Sequence, residues 1–358
     1  MKTNMKNPRM LGLLLLIAVI ALAGIYSVIV KKQQVLSVNG YLGGEKIGFL
    51  EDEEVRDILA RRYHLSIDYS KAGSLDMVTA DASGMDYLFP SSQTALSLYK
   101  DIRGNPVKSE IILNTPIVLY THRLVLDAMM KEGIVSKSDG SYYADMERLV
   151  TLIEQDATWA EIGLPELYGP LSVDTTNPAK SNSGNMFAAL LANVLNQGKV
   201  VDEAHVDEIL PRLQKIFGKL GYMETSSSDL FSQFLKMGVG AKPVVAGYEN
   251  QLLEFSVENP EDFAKIKDDI VMVYPSPTVW STHVYIALDN AGASVIPALL
   301  DEDIQRLAWE KHGFRTSIYA AASDTTQFQA GGLAKDITMV MPVPDYPVMK
   351  KIIDSLGN

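Results

Sequence analysis

A loop rich in hydroxyl and amide side chains precedes an apolar helix near the middle of the chain, between residues 174 and 185. We predict a short strand ending at residues 171–173 and a helix running from Met186 to a cap near Gly198. The first N–H groups of a helix lack internal partners and carry the positive end of its dipole, so they hold anions or oxygen-rich groups. An ordinary helix cap is the alternative interpretation of this segment. The predicted ligand contacts here are Thr175, Thr176, Ser181, Ser183, Gly184 and Asn185.

Three other predicted strand-to-helix junctions carry small or polar residues. The pair Gly43 and Gly44 allows a ligand to approach the backbone closely, and Ser91 and Ser92 open a helix after an apolar strand. Ligands of parallel α/β sheets bind beyond the carboxyl ends of the strands, where such junctions meet. The third junction is Tyr248-Glu249. An inward-facing glutamate there would disfavour a bare oxyanion and favour a polar neutral or cationic group, because like charges repel in a closed cleft.

The remaining elements alternate between helical and extended patterns, which predicts α/β layers with largely parallel sheets. Residues 76–80 are predicted to form a short strand, and residues 111–120 a buried strand pair interrupted at Asn114-Thr115-Pro116. Helices are predicted over 143–155 and over 202–220. The second of these contains Pro211, which predicts a kink or a break.

Composition and charge exclude several classes of function. The chain has 358 residues, of which 47% are hydrophobic, so it can build about two domains with substantial cores. Its net charge of −12 argues against nucleic acid as the main partner, because phosphate binding requires a basic face. Cysteine is absent, which excludes disulfides, thiolate metal sites and the cysteine-linked lipid anchor of bacterial lipoproteins.

The N-terminal region carries a secretion or membrane signal. An apolar segment, residues 10–30, follows a basic flank that contains Lys2, Lys6 and Arg9, and it is long enough to cross a hydrocarbon core of ~30 Å. A signal peptide cleaved after Ala23 is one interpretation, and an uncleaved transmembrane anchor is the favoured one. With the basic flank inside, the rest of the chain is predicted to lie outside the cytoplasm, anchored to the membrane or secreted after cleavage.

Enzyme motifs are absent or isolated. None of the five histidines belongs to an H-E-x-x-H or H-x-H pair, and no G-x-S-x-G elbow, Walker loop or Rossmann fingerprint occurs. The stretch 97–100 matches S-x-x-K, but it has no K-T-G or S-D-N partner and is better interpreted as helix surface. The sequence therefore predicts a protein that is not an enzyme and that uses no cofactor or metal ion.

Several segments together resemble bacterial extracellular solute-binding proteins of the type 2 periplasmic-binding fold. The loop before the central helix is similar to the T-x-P-x-x-S-x-x-G pattern of phosphate- and molybdate-binding members, written here as Thr176, Pro178, Ser181 and Gly184. The order of the segments is a stronger signal than any one of them. They are VLSVNGYLGGEK, IILNTPIVLYTHR, DTTNPAKSNSGNMFAALLA, VVAGYENQLLEF and VMVYPSPTVWSTHVYIALD.

The resemblance implies two α/β lobes joined by a hinge of two crossing strands, with a small polar or anionic solute held in the cleft. Residues 35–120 and 284–358 would form lobe 1, residues 121–283 lobe 2, and residues 1–34 the N-terminal signal or transmembrane helix. The implied partners are the solute and the membrane subunits of an ABC-type transporter, or another envelope protein in a sensing complex. The alternative is a membrane-anchored interaction or assembly protein that keeps this fold without a transport function.

Overall fold

The computed structural model describes residues 35–316 and 324–357, together with residue 12 and the helical residues 15–22. Most of the apolar segment predicted to be a signal or anchor, including the cleavage position at Ala23, lies outside these residues. Among the described residues, no helix combines the length and the apolar character needed to cross a membrane.

Ten strands and a series of helices alternate along the described chain. The strands are β1 (Leu36–Leu42), β2 (Leu65–Lys71), β3 (Tyr87–Phe89), β4 (Lys108–His122), β5 (Val135–Ser138), β6 (Ser141–Asp145), β7 (Val244–Tyr248), β8 (Ile270–Ser276), β9 (Thr278–Ala287) and β10 (Val340–Met341). The α-helices are α1 (Ile47–Glu51), α2 (Glu53–Tyr63), α3 (Asp76–Thr79), α4 (Gln93–Arg103), α5 (Arg123–Lys131), α6 (Met146–Glu154), α7 (Asn182–Leu195), α8 (Val206–Phe217), α9 (Ser227–Met237), α10 (Glu249–Glu258), α11 (Pro260–Ile266), α12 (Asn290–Ala293), α13 (Ile296–Leu299), α14 (Glu302–Glu310) and α15 (Tyr346–Leu356). Short 3-10 helices cover Gly44–Lys46 and Ala160–Ile162.

The strands form one connected sheet in the order β2-β1-β3-β9-β4-β8-β6-β5, with β7 also pairing with β4 and β10 with β9. β1 runs parallel to β2 and β3, and β6 runs parallel to β8. β4, however, is antiparallel to β7, β8 and β9. The sheet is therefore mixed, and the prediction of largely parallel sheets was wrong at its centre, where long antiparallel strands cross the molecule.

Strand β4 connects two halves of this sheet. Its residues 108–116 pair with β9, and its residues 117–122 pair with β7 and β8. The prediction of two strands interrupted at residues 114–116 was wrong, because the ladder continues through them. Pro116 is the last residue of β4 that pairs with β9, and pairing with β7 begins at the next residue. Its missing N–H is tolerated because it lies where one set of strand hydrogen bonds ends and the next begins.

Apolar clusters cover both faces of each half, as the two-residue period of a strand dictates. In the first half, Tyr285 belongs to the cluster of α2 and α14, while its neighbour Ile286 faces the cluster of α4. In the second half, Leu119 of β4 faces α7 and Val118 faces α9 and α10. The α/β layering predicted from the sequence is thus confirmed in both halves. Helix α15 packs against α8 and α7, so the C-terminal helix lies beside residues that the predicted division placed in lobe 2.

Several local predictions are corrected by the structure. Residues 76–79 form helix α3 rather than a strand, because the consecutive buried residues Met77 and Val78 suit one helical face and do not alternate. Residues 141–145 form β6, and α6 begins only at Met146, where the Asp145 carboxylate accepts from the Arg148 N–H at 2.9 Å.

Two further corrections concern the central helices. Pro211 does not break α8, which runs from Val206 to Phe217. The carbonyl that loses its partner belongs to the exposed Asp207, where water can bond to it. Residues 171–173 form no strand, and α7 begins at Asn182, four residues earlier than predicted.

Candidate ligand-binding site

A cleft of about 490 Å³ opens between the two halves of the molecule. It lies where β1 passes into the 3-10 turn, where β2 ends, and where α7 and α9 begin. All of these are strand ends or helix N-termini, and two of them, at Gly43-Gly44 and before α7, are among the polar junctions selected from the sequence. The residues that line it are Gly43, Gly44, Glu45, Lys71, Ala72, Gly73, Ser74, Asp76, Lys180, Ser181, Asn182, Thr225, Ser226, Ser227, Asp229 and Tyr248.

The loop before α7 is held together by its own hydroxyl groups. The Thr176 and Ser183 hydroxyl oxygens lie 2.8 Å apart, and the Gly184 N–H donates to Thr176 Oγ1 at 2.8 Å. Ser181 Oγ lies 3.1 Å from Ser183 Oγ. A Cβ on Gly184 would lie 2.1 Å from the Thr176 carbonyl oxygen, so only glycine allows this close approach. The loop is therefore shaped by Thr176, Ser183 and Gly184. Of its hydroxyl groups, that of Ser181 lines the cleft.

Two helix N-termini meet at the cleft, although the Gly184 N–H in the first turn of α7 is already bonded to Thr176. Ser181 precedes α7 and Ser226 precedes α9, and neither side chain bonds to a first-turn N–H of its helix. These N–H groups are the donors that bind anions at helix N-termini. Lys71 reaches the second of them, with its Nζ 3.4 Å from Ser226 Oγ, and Lys180 lines the same cleft. The arrangement can hold a negatively charged oxygen group.

Asn182 joins the walls of the cleft, and the sequence analysis did not select it. Its side-chain amide donates to the Ser91 carbonyl oxygen at 2.8 Å and to the Tyr248 hydroxyl at 3.0 Å. Ser281 Oγ donates to the same Ser91 carbonyl at 2.7 Å. Asn182 is the first residue of α7 and directly follows the cap position Ser181. That position is the signal by which the sequence could have identified Asn182.

A buried polar cluster of Glu45, Lys46, Ser91 and His283 supports the first wall. Lys46 Nζ donates to Ser91 Oγ at 2.8 Å, lies 3.1 Å from His283 Nδ1, and is paired with the Glu45 carboxylate. Burial opposes the charge on Glu45, but the Lys46 ammonium and the nearby His283 outweigh it and lower the pKa of Glu45 to about 2. Burial, followed by the charge of Lys46, holds the pKa of His283 well below its ordinary value. Glu45 is thus a carboxylate whose charge is countered inside the wall.

Glu249 is engaged inside the protein. Arg315 donates to its carboxylate twice, from Nε at 2.6 Å and from Nη2 at 2.8 Å, and the Tyr274 hydroxyl donates to it as well. The Glu249 side chain is fully buried, and it does not line the cleft. Glu249 therefore does not repel an anion in the cleft. The charged side chains that line the cleft include the carboxylates of Asp76 and Asp229 and the ammonium groups of Lys71 and Lys180. Arg315 carries no local motif, and only the tertiary structure reveals its role.

The structure places the predicted residues in three groups. Gly43, Gly44, Ser181 and Tyr248 line the cleft, and Ser91 lies directly behind its wall. Ser92 caps α4, with the Ala95 N–H donating to its Oγ at 3.3 Å. The residues that are buried in the supporting structure are Thr175, Thr176, Ser183, Gly184, Asn185 and Glu249.

Comparison with known proteins identifies the fold. No protein-family model matches the chain, and no curated protein sequence matches it. Among solved structures, the sulfate-binding protein SubI from Mycobacterium tuberculosis H37Rv is 14% identical, with a TM-score of 0.53 over 84% of this chain and 93% of SubI. The periplasmic binding protein AfuA from Actinobacillus pleuropneumoniae, with fructose-6-phosphate bound, is 13% identical, with a TM-score of 0.56 over 90% of this chain and 97% of AfuA.

A third structure is the substrate-binding protein of an ABC transporter from Agrobacterium tumefaciens. It is 12% identical, with a TM-score of 0.54, and the match covers 91% of this chain and 95% of that protein. All three are described as binding proteins and none as an enzyme. The chain therefore has the mixed α/β fold of periplasmic solute-binding proteins, as the resemblance of its segments implied.

Proposed function

We propose that this chain is an extracytoplasmic solute-binding protein whose cleft binds a small solute carrying an oxyanion. The observation that supports this proposal most is the meeting of two helix N-termini, those of α7 and α9, with Lys71 and Lys180 on one open cleft. Neither helix is capped by the side chain of the serine that precedes it. Backbone N–H groups and ammonium groups are the donors that oxyanions bind. SubI, which is described as sulfate-binding, has the same fold and supports this ligand class.

The cleft suits a solute with hydroxyl groups in addition to the anionic group. Its volume of about 490 Å³ lies within the ~300–1,000 Å³ typical of small-molecule sites, well above the need of a bare oxyanion. Asp76 and Asp229 line it as well, and their carboxylates can accept hydrogen bonds from hydroxyls. AfuA with fructose-6-phosphate is an example of a protein of this fold with such a solute.

We assign the two halves of the sheet to two lobes, and we place the hinge where β4 changes partner, at Pro116 and Ile117. In this proposal the apolar segment 10–30 attaches the protein to the membrane, and the lobes deliver the solute to an ABC-type permease or a sensing complex. The alternative, an interaction protein that has lost its ligand, predicts a filled cleft with bulky apolar residues at the junctions. The open cleft and its polar lining favour solute binding.

The proposal is tested by thermal unfolding of the full chain in the presence of sulfate, phosphate, molybdate, fructose 6-phosphate, amino acids and neutral sugars. A solute at 100 times its Kd adds ~2.7 kcal/mol to the free energy of unfolding, so a ligand raises Tm measurably. We expect an oxyanion-bearing solute to raise Tm in the parent and the Lys71→Ala variant to bind it at least tenfold more weakly. Lys108→Ala, at an exposed lysine outside the cleft, is the matched control. If no oxyanion-bearing solute raises Tm, or Lys71→Ala binds as the parent does, the proposed site is wrong.

A further inference from the structure

A cluster of metal-ligating side chains lies outside the cleft, between α10 and the turn that follows α14. Glu254 and Glu258 stand four residues apart on α10 and so share one helix face, and His312 approaches them from the turn. His312 Nδ1 lies 2.7 Å from Glu254 Oε1 and 3.9 Å from Glu258 Oε1. One oxygen or nitrogen from each of the three residues lies within 4.8 Å of the others. The three donor atoms can therefore converge on a single ion.

The histidine is oriented as a metal ligand would be. Its side chain is 1% exposed, its ring packs edge-on against Phe49 at 5.8 Å, and its Nε2 has no hydrogen-bond partner among the described residues. That Nε2 lies 3.6 Å from Asp52 Oδ2. Without an ion, His312 Nδ1 is at hydrogen-bond distance from the Glu254 carboxylate. A bound ion would take the Nδ1 lone pair, and the ring proton would then lie on Nε2, facing Asp52. Metal-bound histidines characteristically direct their second ring nitrogen at a carboxylate in this way.

The carboxylates are placed where a cation would be stabilised. Glu254 and Glu258 present two carboxylates on the same face of α10, and a cation between them would relieve their mutual repulsion. Glu254 lies against Gly48, where a Cβ would come within 2.3 Å of Glu254 Oε1, so the small residue leaves room for this carboxylate. Lys311 pairs with Asp52 and Glu54, at 2.8 Å from each, and not with the two glutamates of α10.

We propose that Glu254, Glu258 and His312 form a binding site for a divalent first-row metal ion such as Zn²⁺. One imidazole nitrogen and two carboxylate oxygens are ligands that Zn²⁺ accepts, and the half-exposed Glu258 leaves the remaining coordination position open to water. None of the three residues lines the cleft, so the site is separate from the solute site. The ion would link α10 of the second half to the turn after α14, whose helix packs mainly in the first half.

The test uses the full chain, freed of metal with EDTA and titrated with ZnCl₂ by isothermal calorimetry. We expect one Zn²⁺ per chain and a higher Tm with Zn²⁺ than with EDTA. Glu258→Gln should weaken Zn²⁺ binding at least tenfold without unfolding the protein, because this side chain is 47% exposed. His312→Gln should abolish binding at the site. Glu261→Gln, at an exposed acid on the next helix, is the matched control and should bind Zn²⁺ as the parent does.

Two results would overturn the proposal. One is the absence of stoichiometric Zn²⁺ binding by the parent chain. The other is equal affinity of the parent and the Glu258→Gln variant, which would locate the bound ion elsewhere, for example at the exposed pair of His205 and Asp202. Because Glu258→Gln is judged by affinity in a folded protein, a loss of folding in His312→Gln leaves the test intact.

Discussion

Two pairs of polar side chains behind the cleft are hydrogen-bonded to one another, and these bonds help to fix its walls. Lys46 is bonded to Ser91, and Thr176 is bonded to Ser183. A buried polar group without a hydrogen-bond partner destabilises the folded state by the free energy needed to remove that group from water. The free donors are left to the residues that line the opening, which is the preorganisation that a selective binding site needs.

At Gly184 we predict that a single methyl group disturbs the candidate site. Gly184→Ala places a Cβ 2.1 Å from the Thr176 carbonyl oxygen, and a backbone atom can move less easily than a side chain. We expect the free energy of unfolding to fall by about 1–3 kcal/mol, as overpacking does elsewhere. Urea unfolding measures this, with Gly240→Ala as the control, because nothing lies within 4 Å of that position. Equal losses in the two variants would contradict the close approach.

The ion pair of Glu45 and Lys46 predicts a specific loss of stability in acid. The pKa of Glu45 is about 2 in the folded chain, below its ordinary value of 4.5, so its contribution is complete above pH 4.5 and is lost as the pH falls toward 2. We expect the double variant Glu45→Gln/Lys46→Met to lose less stability than the parent between about pH 6 and about pH 3, by on the order of 2 kcal/mol. Urea unfolding at about pH 6 and about pH 3 measures the difference. Parallel pH profiles for the two proteins would show that the pair is not coupled to folding.

At the scale of elements, helix N-termini supply the site and apolar faces fix their positions. All but the first residue of α7 are buried, so this helix is held on every side and its N-terminus has little freedom. Part of that packing comes from α15, which contributes Val348, Met349 and Ile352 to the cluster around α7 and α8. The C-terminal helix is therefore a structural support for α7 and the loop that precedes it.

We predict that truncation of one buried side chain on α15 weakens this support. Ile352 is fully buried, so Ile352→Ala should lower the free energy of unfolding by about 2–5 kcal/mol through lost burial and a cavity. Lys350→Ala, on the exposed side of the same helix, should change it by no more than about 0.5 kcal/mol. Chemical denaturation of both variants provides the measurement. If the two losses are alike, α15 does not pack as described.

At the scale of the whole molecule, the long strand β4 carries the connection between the halves. β4 pairs with β9 over residues 108–116 and continues into the second half over residues 117–122. The cleft lies between these halves, and Gly73 approaches Lys180 across it, so that a Cβ on Gly73 would lie 2.7 Å from the Lys180 carbonyl oxygen. Bending at the crossing strands would open and close the cleft.

We therefore predict that the solute found by thermal unfolding makes the molecule more compact. Small-angle X-ray scattering of the full chain, in matched detergent if the apolar segment requires it, should give a smaller radius of gyration with saturating solute than without it. Lys71→Ala at the same solute concentration should show a smaller change, and Lys108→Ala the full change. An unchanged radius of gyration at saturation would contradict hinge closure while leaving solute binding intact.

The sequence by itself determined the alternation of elements and the polar strand-to-helix junctions. These signals are local, because periodicity, capping residues and glycines act within a few residues of the chain. Of the residues selected at these junctions, Gly43, Gly44, Ser181 and Tyr248 line the cleft. The order of the five segments that resemble solute-binding proteins also predicted the fold of periplasmic solute-binding proteins, which the solved structures confirm.

Only the tertiary structure decided the pairings that depend on distant residues. Arg315 lies far along the chain from Glu249, and no local pattern shows that it neutralises this carboxylate inside the protein. The antiparallel centre of the sheet, with β4 shared by two halves, likewise depends on contacts between residues more than a hundred positions apart. Local propensity does not encode such contacts, because they are stabilised by burial and charge pairing that exist only once the chain has folded.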